Sequence, residues 1–278
     1  MFTLNCKGRL LVINEPVVMG IINATPDSFY KDSRAAATDA ALKSAETLLA
    51  EGAVFLDIGG QSTAPGSERV SREEEADRVL PVIEAVHKQF SEAFISVDTF
   101  YADVARQSVA AGACMINDVS GGMIDDDMFS TVAALSVPYV LMHIKGTPQT
   151  MQQHAFYENV TREVLDYFIR KIYECNTSGI CDVIIDPGFG FAKTIDQNFE
   201  LLNKLEVLGM LQKPIMTGIS RKGTIYKTLG TTPDKALNGT TVLNTIALLK
   251  GANILRVHDV REAVEAIELV KRTSDSSL

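Results

Sequence analysis

The chain has 278 residues, 46% hydrophobic and 22% charged, and a formal net charge of −9. This is the composition of an ordinary globular protein, not of a disordered or collagenous one. The acidic balance and the lack of a basic stripe argue against nucleic acid as a partner. Local cations at Arg221-Lys222 and Arg256/His258 still leave room for a small anionic substrate. The four cysteines show no C-x-x-C spacing, and no apolar run reaches membrane-spanning length. With no secretory-type leader, the expectation is a cytoplasmic protein with reduced thiols and no membrane contact.

Residues 1–14 read as a β-hairpin, with Phe2-Thr3-Leu4, a Lys7-Gly8 turn and Leu10-Leu11-Val12-Ile13. From Val17 onward, a short β-branched-rich run ends on a polar residue and a helical stretch follows, eight times over. The runs end at Ile22-Asn23, Leu56-Asp57, Val97-Asp98, Ile116-Asn117-Asp118, Met142-His143, Ile185-Asp186, Ile219-Ser220 and Val257-His258. Parallel strands covered on both faces read as continuous apolar runs. In a closed barrel of such strands, their polar C-terminal ends form the active-site mouth. The expected fold class is α/β: a (β/α)8 TIM barrel with the N-terminal β-hairpin plugging the barrel bottom, one domain over residues 1–278. An open doubly wound sheet fits less well, because no G-x-G-x-x-G follows the first strand.

The intervening helices show one apolar stripe each. The first carries Ala41/Leu42, Ala45 and Leu48/Leu49; the third carries Val104/Ala105 and Ser108/Val109. The seventh carries Val242/Leu243, Ile246/Ala247 and Leu249, and the eighth Val264, Ile267 and Val270. Ser71-Arg72-Glu73-Glu74 has capping-box spacing and opens the second helix, which Pro81 is expected to break or restart. Loops over 24–38, 59–70 and 144–156 exceed the usual length of about four to six residues. Long loops at a barrel mouth hold lids and substrate clamps.

The strand ends divide by charge. Asp57, Asp98, Asn117, Asp118 and Asp186 supply acceptors, while Arg221, Lys222, Arg256 and His258 supply donors. A carboxylate at such a position grips the N–C–N donor pair of a heterocycle through charge-assisted bonds. The cationic half suits an anion, as the loops after the last two strands of such barrels often hold phosphate. Together they suggest a nitrogen heterocycle bearing a phosphate or diphosphate. Asp57 and Asp118 read equally well as turn formers or helix caps, and turn chemistry before Pro187-Gly188 also suits Asp186. Lys222 at a helix start opposes the helix dipole unless an anion lies between them. No H-E-x-x-H or histidine cluster favours zinc. Magnesium carried on substrate phosphates needs only one protein oxygen, such as that of Asn23.

The motifs themselves carry a resemblance. Asn23-Ala24-Thr25-Pro26-Asp27-Ser28-Phe29, Asp57-Ile58-Gly59-Gly60-Gln61-Ser62-Thr63, Ser96-Val97-Asp98-Thr99 and Asn117-Asp118 open the series. Met142-His143 with Gly146-Thr147-Pro148, Asp186-Pro187-Gly188-Phe189-Gly190-Phe191, Ser220-Arg221-Lys222 and Arg256-Val257-His258-Asp259-Val260 complete it. In this order, over nearly the whole chain, they resemble the pterin-binding enzyme family. The resemblance implies condensation of 6-hydroxymethyl-7,8-dihydropterin diphosphate with p-aminobenzoate in folate synthesis, with Mg2+ as cofactor and a homodimer as the assembly. It also implies that Asp98, Asn117, Asp186 and Lys222 hold the pterin, and that Asn23, Thr63, Arg256 and His258 hold the diphosphate, Asn23 through the metal. Thr63, Pro65, Phe191, Ser220 and Arg221 would frame the p-aminobenzoate pocket, where sulfonamides bind in this family. Asp98, Lys222, Arg256 and His258 are the residues expected to drive the chemistry.

Two positions depart from the family pattern. Ala64 stands where an arginine is usual in Ser-Thr-Arg-Pro-Gly, with Arg34 or Arg69 as candidate compensation, and Ala192 replaces a common glycine with little expected effect. Competing readings are a corrinoid-type pterin-binding methyltransferase, a non-catalytic pterin-binding paralogue and, more distantly, a Schiff-base aldolase using Lys222.

Overall fold

The computed structural model describes residues 1–24, 31–61, 69–147 and 150–275. The N-terminal hairpin pairs β1 (Phe2–Cys6) with β2 (Arg9–Ile13), in register from Phe2↔Ile13 to Cys6↔Arg9. Eight parallel strands follow: β3 (Val17–Asn23), β4 (Phe55–Gly59), β5 (Phe94–Asp98), β6 (Met115–Asp118), β7 (Tyr139–Met142), β8 (Val183–Asp186), β9 (Met216–Thr217) and β10 (Ile254–Val257). Their order is β8-β7-β6-β5-β4-β3-β10-β9. A parallel bridge between Ile185 and Ile215 joins the two outer strands, so the sheet closes on itself. The helices are α1 (Lys31–Ala50), α2 (Arg72–Gln89), α3 (Ala102–Ala111), α4 (Met128–Leu135), α5 (Val160–Thr177), α6 (Ile195–Asn203), α7 (Gly223–Thr228), α8 (Leu237–Leu249) and α9 (Val260–Asp275). The architecture is the expected (β/α)8 barrel.

Side chains alternate across a strand, and the barrel therefore has two separate apolar cores. Outward residues such as Leu56, Ile58, Ile95, Val97, Ile116, Leu141, Ile185 and Leu255 pack with the helices. Inward residues Met19, Phe55, Met115, Val140, Ile184, Met216 and Ile254 form a second cluster, with Phe94 packed against it. One residue from each barrel strand thus fills the interior, and Leu4, Cys6 and Ile13 of the hairpin belong to the same cluster. The hairpin is a plug, held by burial worth about 1.5–3 kcal/mol per large side chain. Polar ties add to it: Asn5 N donates to Asp182 Oδ2 at 2.7 Å and Lys7 Nζ to Val109 O at 2.6 Å.

Four expectations need correction. Pro81 neither breaks nor restarts α2, which runs through it. Pro81 faces solvent, while Val79, Val82, Ile83 and Val86 bury the opposite face against the barrel, so the missing N–H is lost where packing is not. Helix α1 begins at Lys31, seven residues before the expected end of its loop. The expected seventh strand shrinks to Met216–Thr217. On α8 the buried face is Leu243, Ala247 and Leu248, leaving Val242 and Leu249 exposed. Among the described residues, no helix is long and apolar enough to cross a membrane.

Candidate active site

Two residues beyond the inner apolar layer, the same alternation brings Asp57, Ser96, Asn117, Asp186 and Arg256 to the inside of the barrel. The acidic members and Asn117 are buried. Arg256 ties this polar layer together: its Nε donates to Asp57 Oδ2 at 2.6 Å and its Nη2 to Asp98 Oδ2 at 2.7 Å. Asn117 Nδ2 donates to the same Asp57 oxygen at 2.9 Å. Burial pushes the Asp98 carboxyl up to about 7, with Arg256 opposing the shift. Burial works against charge on Arg256 too, but Asp57 and Asp98 outweigh it and raise its pKa.

The second half of the site is built by turns after β8 and β9. Asp186 Oδ1 accepts from Gly188 N at 2.8 Å. Gly188 has φ +68°, and a Cβ there would fall 2.1 Å from His143 O, so only glycine fits this turn. Lys222, the N-cap of α7, donates from Nζ to Phe189 O at 2.6 Å and lies 4.5 Å above the Phe191 ring. A Cβ on Gly218 would sit 3.8 Å from Lys222 Nζ and 4.0 Å from both Asp186 Oδ2 and Arg256 Cδ, which shows how closely the three converge. Burial lowers Lys222 to about 8, with Asp186 pulling it back up. Asp186 is raised by burial and held down by Lys222. His258 Nδ1 lies 3.0 Å from Ser220 Oγ.

These groups surround a cavity of about 630 Å³ whose wall includes Asn23, Gln61, Asp98, Phe191, Lys193, Ser220, Arg221, Lys222, Arg256 and His258. Asn117 and Asp186 stand one step back, reached through Asp57–Arg256 and across Gly218 respectively. Arg221 reaches the rim with its guanidinium already engaged, Nε and Nη2 on Asp259 at 2.9 and 2.7 Å and Nη1 on the Pro233 and Asp234 carbonyls. Thr63, Ala64 and Pro65 lie outside the described residues.

The structure resolves the ambiguous aspartates in opposite directions. Asp118 is a turn former: it accepts from Ser120 N, Gly122 N and Tyr139 Oη, all on the outer side of the sheet. Asp57 is no cap; it is the buried link between Arg256 and Asn117. His143 also turns outward, with its ring 4.8 Å from that of Tyr167 in an edge-on contact. Ala192 is not a minor departure, because its φ of +49° is left-handed and costs an L-residue about 1–2 kcal/mol.

Sequence reasoning missed two buried ionisable residues. Glu75 of α2 is fully buried and accepts from Gln61 Nε2 at 2.6 Å, and burial pushes it up to about 8. Lys193 is buried beside Phe191 and donates to two carbonyls of its own loop. The available signals were a glutamate on the apolar stripe of α2 and a lysine closing the apolar Gly188–Ala192 stretch.

Among the described residues, no group of three or more His, Cys, Asp or Glu side chains forms a metal cage. An exposed amide at Asn23, on the wall of a cavity with cationic groups opposite, does fit a magnesium ion whose other ligands are phosphate oxygens and water.

The chain is similar to known proteins over nearly its whole length. Residues 19–258 match the family model described as "Pterin binding enzyme". The chain is 40% identical over 269 residues to the dihydropteroate synthase of Escherichia coli (strain K12), covering 96% of this chain and 95% of that one. A Xanthomonas albilineans dihydropteroate synthase structure with 4-aminobenzoic acid superposes with a TM-score of 0.90 at 40% identity, over 98% of both chains. A second structure from that organism, in complex with 7,8-dihydropteroate, superposes with a TM-score of 0.86 at 37% identity, again over 98% of both. Fold, strand-end residues and full-length similarity agree: the chain belongs to the pterin-binding enzyme family and, within it, to the dihydropteroate synthases.

Proposed function

We infer that the chain condenses 6-hydroxymethyl-7,8-dihydropterin diphosphate with p-aminobenzoate, giving 7,8-dihydropteroate and diphosphate in folate synthesis. The observation that carries this is the convergence of Asp98, Asn117, Asp186, Lys222 and Arg256 at one barrel mouth beside Phe191 and Ser220. Residues 1–278 form one pterin-binding barrel domain in this reading, in the cytoplasm, where three buried thiols and the exposed Cys181 stay free.

In the proposed pterin site, Asp186 and Asp98 accept from the ring N–H groups, Asn117 adds its amide, and Lys222 donates to a ring acceptor. Arg256 and His258 face the diphosphate. Arg256 has five N–H donors and spends two on Asp57 and Asp98, which leaves three for the anion. Asn23 would hold magnesium on that diphosphate, and the ion would stabilise the leaving charge.

The reaction then needs no dedicated base to start. The bond between the exocyclic methylene and the diphosphate oxygen breaks, and its electron pair leaves with the diphosphate. Fixed donors at Lys222, Arg256 and His258 stabilise that charge as it develops. The pterin ring delocalises the cation, which an ionised Asp98 favours. The neutral aniline nitrogen, set by Thr63, Pro65, Phe191, Ser220 and Arg221, closes the new C–N bond and releases a proton to solvent. The test is an assay with both substrates, with and without magnesium, with dihydropteroate followed by chromatography. Single-turnover release of diphosphate in the absence of the amine would support the dissociative order, and its strict dependence on the amine would overturn it.

A homodimer through the outer helices accounts for Val242, Leu249 and Leu269, three exposed apolar side chains on α8 and α9. Sedimentation equilibrium at micromolar concentration tests it, a monomer being the adverse result.

A further inference from the structure

Between β8 and α6, the loop 187–193 carries Phe191 onto the cavity wall and then passes through Ala192 in the left-handed conformation. Nothing local favours that backbone, since Ala192 has a Cβ and is fully buried. Asn198 Oδ1 accepts from Gly190 N at 2.7 Å and Lys222 Nζ donates to Phe189 O, but the contact that joins both ends of the loop to a neighbouring strand is made by Lys193. Its Nζ lies 3.0 Å from Gly188 O, 3.1 Å from Phe191 O and 3.0 Å from His143 Nδ1. An amine on this stem has three N–H bonds when protonated, and three acceptors surround it, so none is left over for a ligand.

The ring survives loss of the proton. A neutral amine donates to the two carbonyls and accepts from Nδ1–H in the other imidazole tautomer. That matters because burial brings Lys193 down to about 7, with Asp186 pulling it up and Lys222 and Lys145 pulling it down. The anchor is itself rigid: His143 is buried against Tyr157, Tyr167 and Phe168, and its backbone N donates to Asp186 O at 2.9 Å. The amine therefore pins the Phe191 loop to the strand that precedes the pterin-site Asp186.

We propose that Lys193, held by His143, is a positioning residue that sets Phe191 for the arylamine and so determines affinity for that substrate more than for the pterin diphosphate, whose Asp186 and Lys222 keep their own bonds to Gly188 N and Phe189 O. This rests on the proposed condensation. With Nζ spent on Gly188 O, Phe191 O and His143 Nδ1, Lys193 acts through the backbone that carries Phe191.

The experiment combines kinetics with hydrogen exchange on the full chain. K193M keeps the length of the stem and removes all three donors. It should raise KM for p-aminobenzoate about tenfold or more, with KM for the dihydropterin diphosphate and kcat moving by about twofold or less. Exchange in peptides covering 187–194 should quicken about tenfold while barrel-strand peptides hold. H143N keeps an acceptor near the position of Nδ1 and should stay close to wild type, whereas H143L should reproduce the K193M split; this pair carries the test if K193M does not fold. Equal loss for both substrates, or unchanged exchange in 187–194, would overturn the proposal. A wild type that makes no dihydropteroate would defeat the condensation instead, and the exchange comparison would still decide whether Lys193 closes the loop.

Discussion

Asp57 Oδ2 accepts from Arg256 Nε at 2.6 Å although 199 residues separate the two along the chain. The same oxygen also accepts from Asn117, so one buried carboxylate orients an anion-site donor and a pterin-site amide together. Asp57→Asn should lower kcat/KM by about 10–100-fold, as expected for misplacing preorganised donors. Asp57→Ala should cost about 3 kcal/mol in urea unfolding, at the lower end for a broken buried pair because Asp98 still neutralises Arg256. Variants matching wild type in both measurements would remove the link.

Two groups assigned to the proposed chemistry titrate near neutrality. Asp98, raised to about 7 by burial, gains its charge as pH rises through that value. Lys222, lowered to about 8 by burial, loses its charge as pH rises through that value. Because the proposed chemistry needs the carboxylate and the ammonium together, kcat/KM should be bell-shaped with its maximum between them. A flat profile from about pH 6 to about pH 9 would contradict this pairing.

Glu75 predicts a pH-dependent stability of definite sign. Its folded pKa of about 8 lies above the unfolded value of roughly 4.3. Its contribution is therefore fully present below the lower value and is lost as pH rises through the higher one. Glu75→Gln stays neutral throughout and can still accept from Gln61. Its melting temperature should match wild type near pH 4 and exceed it at pH 9 by an amount of order 5 °C.

At Ala192 the strain is local. Glycine removes a left-handed penalty of about 1–2 kcal/mol and adds a flexibility cost of about 0.5–1 kcal/mol. Ala192→Gly should thus stabilise by about 0.5–1 kcal/mol, raising the melting temperature by about 2 °C. Calorimetry decides it, and a lower melting temperature would show that the strain is not there.

Ala64, outside the described residues, stands in the sequence where the family resemblance implies an arginine. Restoring it should strengthen the diphosphate site by one charged hydrogen bond, about 1.5–3 kcal/mol. Ala64→Arg should raise kcat/KM by about tenfold or more, and no gain would mean that the site needs no cation there.

The fold was legible because a parallel barrel writes itself into the sequence twice, as eight buried runs and as the helical stripes between them. The strand ends Asp98, Asn117, Asp186, Arg256 and His258 could be read for the same reason, since position along a run tells which residue leaves the core. Pro81 misled because a breaker is read locally, while packing of Val79, Val82, Ile83 and Val86 on the barrel holds α2 across it. Lys193 and Glu75 left only weak signals, a charge on an apolar stripe or stretch, because burial of an isolated charge depends on what surrounds it in space.

Periodicity and residue type thus determined the barrel, its plug and which end carries the chemistry. They could not distinguish Asp57 from Asp118, which end similar runs. Only barrel closure did that, because alternation across a closed sheet sends one carboxylate inward to Arg256 and the other outward to Tyr139. A strand's sequence gives the order of its side chains; which of its two faces looks into the barrel is fixed by the neighbouring strands.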